Sequence, residues 1–223
     1  MKQTPVHEIP NMDLLGLVPK NCKRIIEVGS SSGVLAREYK KINPDCHYIG
    51  IEIDPDYAAL SKRFCDEVLQ ASIESLDDNS FSSLFPSDCW IFGDVLEHLI
   101  DPWSLLKRIR SLISGEASIV ACLPNSQHWS IQAKINCGQI FYEDSGLLDR
   151  THLRWFSRLT MIDLFQSTGF RISAGGPRIF KSMEPDKNIR KAIQAMAKAI
   201  GANVETSIND ALAFQWVIKA IPA

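Results

Sequence analysis

Little net charge survives in this chain, because 24 basic and 26 acidic residues cancel to a formal −2, and no block of Lys or Arg interrupts the sequence. That balance excludes a broad basic field for nucleic acid and a polybasic patch for a membrane surface. Long apolar runs are also missing. Nowhere do about 18 apolar residues follow one another, so membrane insertion is not expected. The opening MKQTPVHEIPNMDLL has neither the charged start nor the continuous apolar stretch of a signal peptide, and a cytoplasmic protein is expected. The six cysteines, Cys22, Cys46, Cys65, Cys89, Cys122 and Cys137, form no C-x-x-C. A zinc knuckle and a thioredoxin-like pair are thereby excluded, and most of the thiols read as buried and inert. What remains is an ordinary globular composition, 45% hydrophobic over 223 residues. It suits one core and one domain over 1–223.

Short apolar runs alternate with helical patterns. Arg24 to Val28, Tyr48 to Ile53, Asp88 to Phe92 and Ser118 to Leu123 read as buried strands. Gly33 to Ile42, Pro55 to Val68, Asp101 to Ile113 and Thr160 to Ser167 carry apolar residues three and four apart, the helical period. Such alternation predicts an α/β fold, a parallel sheet covered on both faces with right-handed crossovers. Ser157 is placed as an N-cap and Gly169 as a helix stop. A strand at Phe170 to Ser173, a helix over Asp186 to Ile200 and a last strand at Ala213 to Ile221 follow, so the helical segment joins two neighbouring strands.

The stretch IIEVGSSSGVLAREY, Ile25 to Tyr39, breaks from strand into a glycine-serine turn and then a helix, at the place where open sheets of this kind bind ligands. A dinucleotide fingerprint needs glycines at 29, 31 and 34, and Ser31 and Val34 occupy two of those positions. No Gly-Lys-Ser/Thr follows for a Walker loop either. Glu27 would oppose a pyrophosphate and favour a cation. Glu52, 19 residues after Gly33, stands at the carboxyl edge of the second strand, where an acid can accept both hydroxyls of a ribose. A nucleoside carrying an amino group and a sulfonium, S-adenosylmethionine, satisfies both acids. Taken singly, Glu27 also reads as a cap or salt-bridge acid and Glu52 as a solvated strand end.

From about Leu14 to Ile221 the sequence resembles the class I S-adenosylmethionine-dependent methyltransferases, on Glu27-x-Gly29-x-Ser31-x-Gly33, on the acid Glu52, and on FGDVLEHLIDP, Phe92 to Pro102. The last motif, with LPNSQHW and YEDSGLLDRTHLRWFS, is similar to small-molecule methyltransferases of ubiquinone biosynthesis and especially to those associated with glycosyltransferases. The resemblance implies a Rossmann-like seven-stranded, mostly parallel sheet whose last strand is antiparallel. It implies cofactor binding by Glu27, Gly29, Ser30, Gly33, Glu52, Ile53, Ser72, Ile73 and Asp94, with S-adenosylhomocysteine as product. Ser31 stands where a glycine is usual, which is tolerable if the backbone there avoids positive φ. Ser72 stands where an aspartate is usual. The expected acceptor is a small molecule or glycan, without nucleic acid.

Methyl transfer needs an acceptor held in line, and a hydroxyl acceptor also needs a base. His98, just past the fourth strand, and His152, within DRTHLR, are the candidate catalytic residues. Structural packing for His98 and a mutually satisfied ion network with Asp149, Arg150 and Arg154 for His152 are the plainer readings. Arg150, Arg154, Trp129 and Tyr142 are candidate acceptor-binding residues on a lid around 125–157, with Phe141, Trp155 and Phe156 in the same aromatic group. Core packing is the alternative for these aromatics, especially for Phe156. Asp94, Glu97 and His98 form an acid-x-x-acid-His run like one that carries a metal in ubiquinone-type and small-RNA methyltransferases, and His152 could add a ligand. Asp94 is short for that role and no second Glu/His pair follows, so no metal is expected. A methyltransferase-like binding module without turnover is the competing reading. The fold itself sets neither the acceptor nor the assembly.

Overall fold

The computed structural model describes residues 8–223; residues 1–7 of the expected domain lie outside the described residues. Its strands are β1 (Arg24–Val28), β2 (His47–Glu52), β3 (Glu67–Gln70), β4 (Cys89–Gly93), β5 (Ser118–Pro124), β6 (Phe170–Arg178) and β7 (Gln215–Pro222). They form one sheet in the order β3-β2-β1-β4-β5-β7-β6. The pairs β1–β2, β1–β4, β2–β3 and β4–β5 are parallel. β7 lies antiparallel between β5 and β6, so the expected architecture forms. The helices are α1 (Met12–Leu17), α2 (Val34–Ile42), α3 (Pro55–Ser61), α4 (Asp78–Ser82), α5 (Pro102–Arg110), α6 (Trp129–Asn136), α7 (Arg158–Ser167), α8 (Lys187–Ala199) and α9 (Val204–Leu212).

The central strands are apolar throughout because both their faces are covered. Alternate residues then enter opposite cores. Ile26, Val28, Trp90, Phe92, Ile119 and Ala121 join one cluster, while Ile25, Tyr48, Cys89, Ile91, Val120 and Cys122 join the other. Five of the six cysteines are buried and Cys137 is exposed. Among the described residues, no helix is long and apolar enough to cross a membrane.

Local signals account for most helix ends. Asp54 and Asp101 cap helices whose first position is proline, which supplies the right φ and has no N–H to leave unbonded. Ser157 caps α7 in a reciprocal pair with Thr160, and Gly169 follows it at φ +87°. The helix expected over Pro55 to Val68 is shorter than its periodicity suggests. Asp66 exchanges two bonds with Tyr48: the Tyr48 N–H donates to the Asp66 carboxylate at 2.7 Å and the Asp66 N–H donates to the Tyr48 carbonyl at 2.9 Å. These draw the chain onto the sheet edge as β3. β6 runs five residues beyond the expected Ser173 to Arg178, because Gly175, Gly176 and Pro177, loop-like in sequence, keep register with β7.

Asn125, just past the end of β5, ties the segment that follows to the sheet. Its Nδ2 donates to the carbonyls of Asp210 and Ala213, both at 2.7 Å, and its Oδ1 accepts from the Gln127 N–H at 3.1 Å. Asn125 is fully buried, so Asn125→Ala leaves three backbone groups without partners. A loss of about 2 to 4 kcal/mol is expected in urea unfolding; a loss under about 1 kcal/mol would show that water replaces the amide.

Candidate active site

β1 delivers Glu27 toward the carboxyl edge of the sheet, between β2 and β4. The side chain is 6% exposed, and its Oε2 accepts from the Tyr48 hydroxyl at 2.9 Å. Burial pushes the carboxyl up to about 8, against the opposing Tyr48 bond and with a small addition from Glu52. The turn that follows requires glycine at position 29. Gly29 has φ +73°, and a Cβ there would lie 2.5 Å from Val95 Cγ2, so the loops after β1 and β4 could not close together.

Ser31 corrects an expectation, because its backbone does take positive φ, at +48°. The left-handed conformation costs a non-glycine residue roughly 1 to 2 kcal/mol. Against that, the Ser31 N–H donates to Glu52 Oε2 at 2.8 Å, and a bond to a charged acceptor contributes about 1.5 to 3 kcal/mol. The carboxylate therefore offsets the strain and does the work expected of the missing glycine. Its other oxygen accepts from the Asp54 N–H at 3.0 Å. Glu52 is 5% exposed, so it braces the turn from within the fold.

The remaining cofactor-side candidates divide by what they can offer. The Ser30 hydroxyl is buried against that of Ser61 at 2.8 Å, and its backbone belongs to the turn. Ile53, 56% exposed, presents an apolar surface next to Glu52. Ser72 opens a short 3-10 turn over Ile73–Ser75 and accepts the Ser75 N–H. Ile73 is buried in the core, which leaves its backbone as the available group.

Asp94, past the end of β4, also sits at positive φ, +56°. Its Oδ1 accepts from Gln215 Nε2 at 2.6 Å and lies 3.5 Å from Cys122 Sγ, and burial raises its pKa. Gln215 Oε1 in turn accepts from Arg178 Nη1 at 3.0 Å, and Arg178 Nε pairs with Asp13 at 3.0 Å. A polar chain thus runs from α1 through β6 and β7 to the centre of the cleft edge. Sequence reading missed Gln215 and Arg178, since nothing local marks a glutamine 121 residues from its partner. Asp94 and Glu97 do not lie on one helix, because Asp94 takes positive φ before the 3-10 turn at Leu96–His98.

Glu97 is completely buried, and neither carboxylate oxygen has a hydrogen-bond partner. Its Oε1 lies 4.0 Å from His98 Nε2 and 3.9 Å from His152 Nε2, too far for hydrogen bonds. The two imidazoles meet edge to face with centroids 4.8 Å apart. The Glu97 carbonyl accepts both the Leu153 and Arg154 N–H groups, which fastens this segment beside the turn and brings His152 inward. Both candidate histidines therefore share one place. Burial, then the neighbouring His98, lowers the His152 pKa, while burial raises that of Glu97 well above the usual range. The donor atoms of Glu97, His98 and His152 all lie within 4.8 Å of one another.

The aromatics between residues 129 and 156 are not one cluster. Phe156 is buried beside Trp103, the core role that was its alternative. Trp129 packs beside His128 and donates its indole N–H to the Met183 carbonyl at 2.8 Å. Phe141 and Tyr142 are exposed. Arg150 pairs with Asp144 at 2.7 Å, and Arg154 bonds the Ile100 carbonyl, so each cation near His152 has a partner within the chain. The residues divide between several elements because α6 interrupts what reads in sequence as a continuous loop.

The sequence model of a family described as "Methyltransferase domain" matches residues 9–174. No curated protein matches by sequence. Among solved structures, a SAM dependent methyltransferase from Archaeoglobus fulgidus superimposes with TM-score 0.61 at 18% identity, over 91% of this chain and 87% of that one. A putative S-adenosylmethionine dependent methyltransferase from Listeria monocytogenes gives 0.61 at 12%, over 95% and 97%. NcsB1, an O-methyltransferase from neocarzinostatin biosynthesis in complex with S-adenosylmethionine and 2-hydroxy-5-methyl naphthoic acid, gives 0.58 at 9%, over 96% and 53%. The chain thus spans about half the length of that O-methyltransferase. At these identities the superpositions establish the shared fold.

Proposed function

Because the chain belongs to the methyltransferase domain family, we propose that it moves a methyl group from S-adenosylmethionine to an oxygen of a small molecule or glycan. The observation that carries this reading is the pair of buried carboxylates, Glu27 and Glu52, on either side of a turn in which Gly29 leaves no room for a Cβ. Such a cradle suits a cationic nucleoside and opposes a pyrophosphate. Glu52 keeps lone pairs for the ribose hydroxyls after accepting one N–H on each oxygen. Glu27 faces the amino group, Ile53 the adenine, and the backbone of Ser72 and Ile73 its edge, with Ser30, Gly33 and Asp94 completing the cleft.

When bound, S-adenosylmethionine supplies a methyl group already activated by its sulfonium. The protein then has to exclude water, hold the acceptor in line and receive a proton. His98 and His152 supply lone-pair nitrogens on the acceptor side. Arg150, Arg154, the ring face of Trp129 and Tyr142 border the acceptor along the lid.

Calorimetric titration with S-adenosylhomocysteine, repeated in buffers of different ionisation heat, tests the cofactor assignment. Glu27 titrates at about 8 in the free protein, so near pH 7 it is largely neutral. A cofactor ammonium beside it favours the anion, so binding releases a proton and affinity rises with pH until levelling above about 8. Glu27→Gln abolishes the release. Binding of NADH instead would overturn the reading, as would binding of S-adenosylhomocysteine with identical proton release in wild type and Glu27→Gln.

A further inference from the structure

A pocket of about 520 Å³ opens at the outer end of the polar chain that leads to Asp94, within the roughly 300 to 1,000 Å³ usual for small-molecule sites. It lies between α1 and the paired ends of β6 and β7. Leu17 of α1, Val217 of β7 and Phe180 just past β6 give it apolar walls, while Asp13 and Arg178 supply two charged groups. That mixture suits a ligand with an apolar body and a charged end. Gly176 stands opposite Val217 and Arg178 opposite Gln215 in the β6–β7 ladder, and alternate residues of a strand share a face, so Gly176 and Arg178 border the same space. Gly176 leaves that space open, since a Cβ there would meet no heavy atom within 4 Å.

Arg178 is held ready for an anion. Gln215 Oε1 accepts from its Nη1 at 3.0 Å, the Phe180 ring centroid lies 5.0 Å from its guanidinium carbon, and Asp13 meets its Nε at 3.0 Å. Among the described residues Nη2 has no acceptor. The Asp13 side chain is 63% exposed, and an ion pair so open to water contributes little to holding it in place. An incoming carboxylate displaces it and takes Nη2 as well, in the forked contact that guanidinium groups favour.

We propose that this pocket receives the methyl acceptor and selects one with an apolar body and a carboxylate, the carboxylate being held by Arg178. The acceptor role rests on the methyl-transfer reading; the preference for an anion does not. Arg178 is two hydrogen bonds from Asp94, through Gln215, so a molecule anchored there lies beside the cofactor cleft. Its apolar wall continues toward Trp129. Phe180, Phe214, His128 and Trp129 follow one another with ring centroids 5.3 to 5.5 Å apart, a row of rings from the pocket to α6.

The test is calorimetric titration of the full-length protein, without cofactor, with 3-phenylpropionate and with the neutral 3-phenylpropionamide. Wild type is expected to bind the acid at least about 10-fold more tightly than the amide, the difference a charge-assisted pair makes. Arg178→Gln should bring the acid down to the affinity of the amide, and Arg178→Lys, which keeps the charge without the fork, should lose most of the preference. Asp13→Asn removes the competing carboxylate and should raise acid affinity by about 2- to 5-fold with no change for the amide. Gly176→Val fills the open space and should abolish binding of both. S-adenosylhomocysteine, titrated separately, should bind Gly176→Val as it binds wild type, so failure of the cofactor assignment and failure of the pocket give separate results. Equal affinity of wild type for acid and amide would overturn the proposal, as would an acid preference that survives in folded Arg178→Gln, or no acid binding to folded wild type. Acetate binding as tightly as 3-phenylpropionate would identify a bare anion site and overturn the acceptor assignment.

Discussion

Glu52→Ala is expected to weaken binding of S-adenosylhomocysteine by about 10- to 150-fold. The direct loss is two ribose hydrogen bonds to a charged acceptor, together roughly 1.5 to 3 kcal/mol once exchange with water is counted. An indirect loss adds to it. The same carboxylate holds the N–H groups of Ser31 and Asp54, and Ser31 is kept at positive φ in part by that bond. The free variant should therefore also lose about 1 to 2 kcal/mol of stability. Glu52→Gln separates the two contributions: its single amide oxygen can retain one backbone bond but cannot serve both N–H groups and the ribose. Affinity within twofold of wild type in a folded Glu52→Ala protein would remove Glu52 from the cofactor site.

Gly175→Ala should cost at least about 3 kcal/mol, measured by urea unfolding followed by tryptophan fluorescence. Gly175 has φ +122°, and a Cβ there would stand 2.2 Å from the Val217 carbonyl oxygen and 2.6 Å from Ile218 Cα. Both obstacles are backbone of β7, so no side-chain rotation relieves them, and strain adds to the clash. Gly176→Ala is the matched control. It has no positive φ and no heavy atom within 4 Å of its Cβ, and should stay within about 1 kcal/mol of wild type. Similar losses in both variants would mean that the hairpin fails for some reason other than this close approach.

The difference between adjacent glycines shows where sequence reading stops. Alternating apolar runs locate the central strands because those strands are buried on both faces, and the starts of several helices are set by proline, aspartate and serine acting over three residues. β3 and the far half of β6 are edge elements with partly exposed residues. Their pairing is decided by groups distant in sequence, such as Asp66 with Tyr48, so local patterning gives little sign of them. The candidate site divides in the same way. Glu27, Gly29 and Glu52 are legible because a strand, a turn and the next strand place them in a fixed order. Glu97 is visible in the motif, but its isolation from hydrogen-bond donors depends on how His152 folds back 55 positions later. The bond from Gln215 to Asp94 depends on the last strand and has no local trace.

β7 lies between β5 and β6, and among the described residues β6 pairs with β7 alone, so β6 joins the sheet only through a strand that follows it in the chain. The same strand brings Gln215 to Asp94. Completion of the sheet and the hydrogen bond to Asp94 thus depend on one strand, and a chain without residues 215–222 in place lacks both.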